Sequence, residues 1–428
     1  MTHTITLRPA PATADPGRWP DVAAVPRGAG RARVAEAVFT HAAARLPVRV
    51  VTAGAGAFGA GGDGSPVMTL HRPADFYRRI GAGGLIGFGE SYMAGDWDGD
   101  DLTALLTAFA RCADTLVPRP LQALRRLYVR RQPAGDDGSE AGAPRNISRH
   151  YDLSNDLFAL FLDDTMTYSS ALFAQDAGGA PVAAPGLLAA AQRRKVDRLL
   201  DLAGVGPSSR VLEIGTGWGE LAIRAAARGA LVRTVTLSEQ QRALAAERIR
   251  AARLAGRAVV ELCDYRRVRG EYDAIVSVEM IEAVGERYWP EYFAALDRLL
   301  APGGRVGLQS ITMPHRRMLA TRHTHTWVLK YIFPGGLIPS VTAIERNAAR
   351  AGLRVAGRHD FGAHYAETLR IWGERFGIGA ARLERLGFDE VFRRMWQLYL
   401  SYAEAGFRSG YLDVSQFLLV KDARREPW

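Results

Sequence analysis

The chain has 428 residues, 48% hydrophobic and 23% charged, with a formal net charge of +10. That length and balance fit a globular protein with one large or two smaller cores, and its only cysteines, Cys112 and Cys263, exclude a disulfide framework or a cysteine-rich metal site. The positive charge points to an anionic partner: nucleic acid, an anionic membrane surface or an acidic small molecule.

Residues 1 to about 30 are rich in Pro, Ala and Gly and are expected to form a disordered lead without a signal-peptide core. A helix is predicted over Arg31 to Arg45. Strands follow at Val48 to Val51 and Val67 to Leu70, separated by a Gly-rich turn at Gly54 to Gly64. Ala74 to Ile80 reads as helical, and Gly84 to Trp97 leads into a helix near Asp101 to Ala110. Residues 31–131 are thus expected to form a small α+β domain. Within it, Leu116 to Arg131 places Leu121, Leu124, Leu127 and Tyr128 at helical spacing among arginines. That pattern suits both an interfacial membrane helix and a packed helix with a solvated basic face. Residues 132–144, polar and rich in Pro and Gly, are the expected linker.

From residue 145 onward, strands and helices alternate. Strands are predicted at Val211–Ile214, Leu231–Leu237, Val259–Leu262, Ala274–Val278 and Arg305–Ser310. The intervening helices run over Arg194–Ala203, Glu220–Arg228, Glu239–Leu254 and Trp289–Leu300. This is the pattern of an α/β doubly wound sheet, with ligands at the carboxyl ends of its strands. No run of 18 apolar residues occurs, so any membrane contact is expected to be peripheral.

The first of these strands ends in Glu213-Ile214-Gly215-Thr216-Gly217-Trp218-Gly219, and Glu220 opens a helix. Glycines there allow unusual dihedrals and close backbone approach to a ligand. Their alternate spacing differs from the dinucleotide fingerprint and resembles motif I of class I S-adenosylmethionine methyltransferases. Thr236, Leu237, Ser238 and Gln241 after the second strand suit a ribose or a methionine carboxylate. Asp264 and Tyr265 after the third suit an adenine amino group and ring face. Glu279 to Gly285 follows the fourth, and Pro302-Gly303-Gly304 marks the turn before the fifth.

Further segments carry a more specific resemblance: His150 to Asp156, Met166 to Phe173, Lys330 to Ser340, His364 to Leu369 and Phe407 to Val414. With motif I, they resemble the cyclopropane fatty acyl phospholipid synthases and mycolic acid methyltransferases. The likeness spans about Ile147 to the C-terminus, and Gly84 to Trp97 resembles that family's N-terminal lipid-handling domain. It implies a class I methyltransferase fold over 145–428, S-adenosylmethionine as cofactor, and Tyr168 and Ser169 closing over it. It also implies a bicarbonate ion as general base, held by a Cys, a Glu, a His, a Tyr and an Ile peptide group. Here Glu282, Tyr365 and Ile311 match, while Ser170 stands at the Cys position and Gln309 at the His position. No metal is implied; His315, His323 and His325 lack supporting ligands.

Ser277 to Gly285 and Ile311 to Thr326 resemble the actinobacterial branch that makes the 10-methylene precursor of tuberculostearic acid. The implied reaction is C-methylation of the cis double bond of an oleoyl phospholipid. Cyclopropane formation at the same bond is the alternative in chemistry, and a non-catalytic lipid-binding protein the alternative in class. A nucleic-acid partner is not expected, since the Asn/Asp-Pro-Pro-aromatic motif is missing. The implied setting is the cytoplasmic face of the cell membrane, on an anionic surface that Arg316, Arg317 and Arg322 either meet or leave to solvent. A reductase would complete the methyl branch, and an oligomer is left open.

Overall fold

The computed structural model describes residues 14–52, 56–112, 133, 139 and 154–421. Contacts divide the chain into one unit of Met1–Arg130 with Ala380–Ser409 and another of Arg131–Gly379 with Gly410–Trp428. The basic segment Leu116 to Arg131, the expected linker apart from residues 133 and 139, and the His150 to Leu153 stretch lie outside the described residues.

In the first unit, β1 (Arg49–Thr52), β2 (Gly56–Phe58), β3 (Val67–Leu70) and β4 (Trp97–Gly99) form a sheet in the order β2-β1-β3-β4. Only the β1–β3 pair is parallel. The expected disordered lead is corrected over its described part. Pro20–Ala23 is a short helix, and the buried Arg79 guanidinium explains it by donating to the carbonyls of Asp21, Val22 and Ala24 while pairing with Asp96 at 3.0 Å. A buried guanidinium has five N–H donors and must find acceptors. Arg394 repeats the device, donating to the carbonyls of Tyr92 and Trp97 and to Asp98. Its helix, Glu390–Arg408, therefore belongs to this unit although it follows the methyltransferase-like segments in sequence.

In the second unit, after the short helix Asn155–Ala159, comes a two-stranded antiparallel ribbon, β5 (Ala174–Gln175) and β6 (Pro181–Val182). The unit's main sheet follows. There β7 (Arg210–Ile214), β8 (Leu231–Thr236), β9 (Ala258–Leu262), β10 (Tyr272–Val278) and β11 (Leu300–Thr312) run parallel. Two strands that sequence did not anticipate extend the sheet: β13 (Asp413–Lys421) pairs antiparallel with β11, and β12 (Leu353–Asp360) pairs antiparallel with β13. The order is β12-β13-β11-β10-β7-β8-β9. Helix-rich layers cover both faces, because successive strand residues point oppositely. Leu212 and Ile275 join the core around Phe293 and Leu296, whereas Val211 and Val276 join the core around Leu199 and Ala222. The Pro302-Gly303-Gly304 turn is absorbed inside β11 as a register shift: Tyr272 pairs with Leu300 but Ala274 with Arg305. Chain direction across the sheet switches between β7 and β10, which opens a crevice at their carboxyl ends. Among the described residues, no helix is long and apolar enough to cross a membrane.

Candidate active site

The glycine turn leaves β7 with Gly215, Gly217 and Gly219 at φ 95°, 51° and 91°. Gly215 and Thr216 donate their amides to Val235 O at 3.0 and 3.2 Å, which ties the turn to β8. A Cβ on Gly219 would lie 3.1 Å from the Ala245 Cβ, so glycine there lets helix Glu239–Ala251 pack close. At Gly217 a Cβ would meet nothing within 4 Å, leaving that face of the turn open to a ligand. Glu213 is buried, its Oε2 has no hydrogen-bond partner among the described residues, and burial pushes its carboxyl up to about 8. An orphaned buried carboxyl oxygen beside open glycine backbone fits a polar cofactor.

Most other cofactor-site candidates gather at the same strand ends. Thr236 Oγ1 donates to Gln241 Oε1 at 2.8 Å, and Ser238 Oγ caps helix Glu239–Ala251 by accepting from Gln241 N; Leu237 between them is half-buried. Asp264 accepts from Arg266 at both oxygens, the shorter contact being 2.6 Å, and the Arg266 guanidinium lies 5.5 Å from the Tyr265 ring centre. An adenine amino group would therefore share an Asp264 oxygen with Arg266 rather than meet a free carboxylate. Tyr168 stacks on Trp372 at 5.3 Å, and Ser169 Oγ accepts from Lys195 Nζ at 2.5 Å. Lys195 is fully buried, and desolvation pushes its ammonium down to about 8 against the charge of Glu279.

The expected ion site is divided in two. Ser170, Gln309 and Tyr365 all meet Glu279, the residue after β10. Ser170 N and Gln309 Nε2 donate to its Oε1 at 3.1 and 2.8 Å, and Tyr365 Oη donates to its Oε2 at 2.7 Å. Ser170 serves through its peptide N–H, since its hydroxyl donates to Ala171 O. Ile311 instead meets Glu282: Ile311 N and Ser310 Oγ donate to Glu282 Oε1 at 2.5 and 2.9 Å. The five residues that the family resemblance assigns to one bicarbonate, Glu282, Ser170, Gln309, Ile311 and Tyr365, thus fall into two hydrogen-bonded groups. A side-chain carboxylate already takes three of the donors assigned to the ion.

The two carboxyls differ electrostatically. Burial raises both. Glu282 is pushed up to about 8, with the charge of Glu279 adding to burial, and its Oε2 has no partner among the described residues. For Glu279 the nearby Lys195 ammonium and the donors from Tyr365, Gln309 and Ser170 oppose the rise. Both carboxyls are thus held above their ordinary range by burial, and only Glu279 has a neighbouring ammonium that favours its charged form. Glu279 also sits at φ 51°, a region that costs a non-glycine residue on the order of 1–2 kcal/mol. Sequence reasoning passes over Glu279, which enters it only as part of the segment after the fourth strand. The signal that could have found it is a pair of carboxylates three residues apart, Glu279 and Glu282, at the mouth of the expected crevice.

The mycolic acid cyclopropane synthetase family model matches residues 139–417. The chain belongs to that family. One relative in this family is the tuberculostearic acid methyltransferase UfaA1 of Mycobacterium tuberculosis, 57% identical over 415 residues, 96% of this chain and 97% of that protein. The cyclopropane-fatty-acyl-phospholipid synthase of Escherichia coli is 33% identical over 349 residues, 81% and 86% of the two chains. The crystal structure of the mycolic acid cyclopropane synthase CmaA1 with SAH and CTAB superposes with a TM-score of 0.58 at 28% identity, covering 67% of this chain and 98% of that one. Likeness to UfaA1 thus extends through the N-terminal unit, and the class I methyltransferase architecture expected from motif I is present.

Proposed function

We propose that the protein methylates the cis double bond of an unsaturated acyl chain in a membrane phospholipid, using S-adenosylmethionine, and yields a 10-methylene chain. The convergence of Ser170, Gln309 and Tyr365 on the Glu279 carboxylate carries this reading, because it provides a fixed base at the crevice. The 57% identity to UfaA1, against 33% to the Escherichia coli cyclopropane synthase, favours the methylene product over the ring.

S-adenosylmethionine, when bound, supplies an electrophilic methyl carbon and leaves as S-adenosylhomocysteine. Glu213 and the amides of Gly215 to Gly219 would hold it, together with the Thr236 to Gln241 group and Tyr168. The alkene π pair forms the new carbon–carbon bond and leaves a cation on the neighbouring carbon. Phe158, Phe161 and Trp372 pack around the ring of Tyr168, and such an apolar cluster would help keep water from that cation. A hydride shift moves the cation to the methyl-bearing carbon. A proton then passes from the methyl group to a Glu279 oxygen, and its C–H pair becomes the exocyclic double bond. Were the proton lost before the shift, the same pair would close a cyclopropane. Base placement therefore selects the product, and a carboxylate tethered to the backbone is placed more rigidly than a free ion. The role the family resemblance gives to bicarbonate falls here to Glu279.

The excess of Lys and Arg suits attachment to an anionic membrane at the cytoplasmic face, and a methylene product calls for a reductase to finish the branch. Incubation with S-adenosylmethionine and dioleoyl phosphatidylglycerol vesicles, followed by ozonolysis and mass spectrometry of the fatty acids, tests the proposal. A ketone at carbon 10 is expected. An unchanged oleate pool, or a product resistant to ozone, would overturn it.

A further inference from the structure

Gln309 and Gln416 face each other across the β11–β13 register, and both are fully buried. Gln416 Nε2 lies 3.1 Å from the Lys195 carbonyl oxygen and 3.0 Å from Gln309 Oε1, while its Oε1 accepts from Arg198 Nη1 at 2.5 Å. A peptide carbonyl can only accept and a guanidinium can only donate. These two one-way groups leave Gln416 a single amide orientation. Gln416 in turn leaves one for Gln309, whose carbonyl takes the Gln416 N–H and whose NH₂ faces Glu279.

We propose that Arg198 and Gln416 are positioning residues that fix the polarity of Gln309, so that Glu279 meets only donors and stays ready to accept a proton. The inference rests on Glu279 being the base. Neither residue is among the donors to Glu279, which are Ser170 N, Gln309 Nε2 and Tyr365 Oη. Arg198 belongs to helix Leu188–Leu202, is half-buried, and has no acidic partner among the described residues, so its bond to Gln416 is not a by-product of an ion pair. Were Gln309 flipped, its carbonyl would face Glu279 Oε1 at hydrogen-bond distance. Two acceptors in contact require a proton between them, and Glu279 would be held as the neutral acid. The relay thus converts a fixed positive group on a helix into a choice of protonation state, through two amides and no mobile charge. The other titratable groups facing Glu279 are Lys195 on the same helix, Tyr365 and Glu282; His359, beside Gln416 in register on β12, feels the Arg198 charge.

The test compares full-length wild type with R198M, R198K and E279Q on oleoyl phospholipid vesicles. It reads kcat against pH, KM for S-adenosylmethionine, and the infrared band of protonated carboxyl in cofactor-free protein, assigned to Glu279 by its loss in E279Q. For R198M the acid limb of kcat and the midpoint of the band should both move up by roughly one pH unit, giving about a tenfold lower kcat on that limb at unchanged KM. R198K, still only a donor, should restore both. A uniform loss of kcat in R198M with limb and band unmoved would overturn the relay and leave Glu279 as base. Full turnover by E279Q would instead overturn the base reading itself. Should R198M fold poorly, Q416E probes the same relay from its other member. Its carboxylate cannot donate to Gln309 Oε1, so the band must shift in the same direction, and an unshifted band contradicts the proposal.

Discussion

Tyr365 Oη donates to Glu279 Oε2 at 2.7 Å, joining helix Gly362–Ile378 to the end of β10 across 86 residues of sequence. Because this bond stabilises the ionised carboxylate, its loss lets burial dominate and raises the Glu279 pKa further. Tyr365→Phe is therefore expected to lower kcat about tenfold near neutrality, a bond to a charged group being worth roughly 1.5–3 kcal/mol. The acid limb of its pH profile should move upward with S-adenosylmethionine affinity unchanged. Stopped assays across pH, with calorimetric binding, check both; a weakened affinity at an unmoved limb would place Tyr365 in cofactor binding instead.

Glu282 governs a pH dependence of stability. Its carboxyl is held at about 8 in the fold against an ordinary 4.5, so the folded chain binds that proton more tightly than the unfolded one. The stabilisation is complete below about 4.5 and is lost as pH rises through about 8. Glu282→Gln mimics the protonated form. Its melting temperature should exceed wild type increasingly from pH 6 to 9, and turnover should stay within about tenfold of wild type because Ile311 N and Ser310 keep their acceptor. Parallel melting curves for the two proteins across that range would contradict the assignment.

Ser170 reaches Glu279 through its peptide N–H alone. Ser170→Ala should leave kcat within about threefold of wild type while costing about 1 kcal/mol of stability, as Ala171 O loses a buried donor. Ser170→Cys should likewise leave the product a methylene. A hundredfold loss in the alanine variant, measured on oleoyl vesicles, would show that the hydroxyl takes part.

The five parallel strands were legible because buried apolar runs bounded by glycines and acidic turns advertise themselves. β12 escaped because every second residue faces solvent and Arg354, Arg358, His359 and Asp360 dilute its apolar pattern. β13 escaped because it buries Ser415 and Gln416, polar residues whose partners are set only by register. Most of the proposed cofactor half of the site rests on local motifs. The proposed base does not, since Glu279 draws its donors from positions 109, 30 and 86 residues away. The family pattern pointed instead to Glu282, and the residues at three of its four other positions, Ser170, Gln309 and Tyr365, converge on Glu279.

That convergence is tested most directly by Glu279→Gln assayed in carbon-dioxide-depleted buffer, beside wild type with and without added bicarbonate. Wild-type conversion of oleoyl phospholipid should be indifferent to bicarbonate. The variant should bind S-adenosylmethionine normally and lose roughly 10²–10⁴-fold in kcat, the usual contribution of a general base. Near-normal turnover by the variant, or a wild-type enzyme that stops when bicarbonate is withdrawn, would contradict the account.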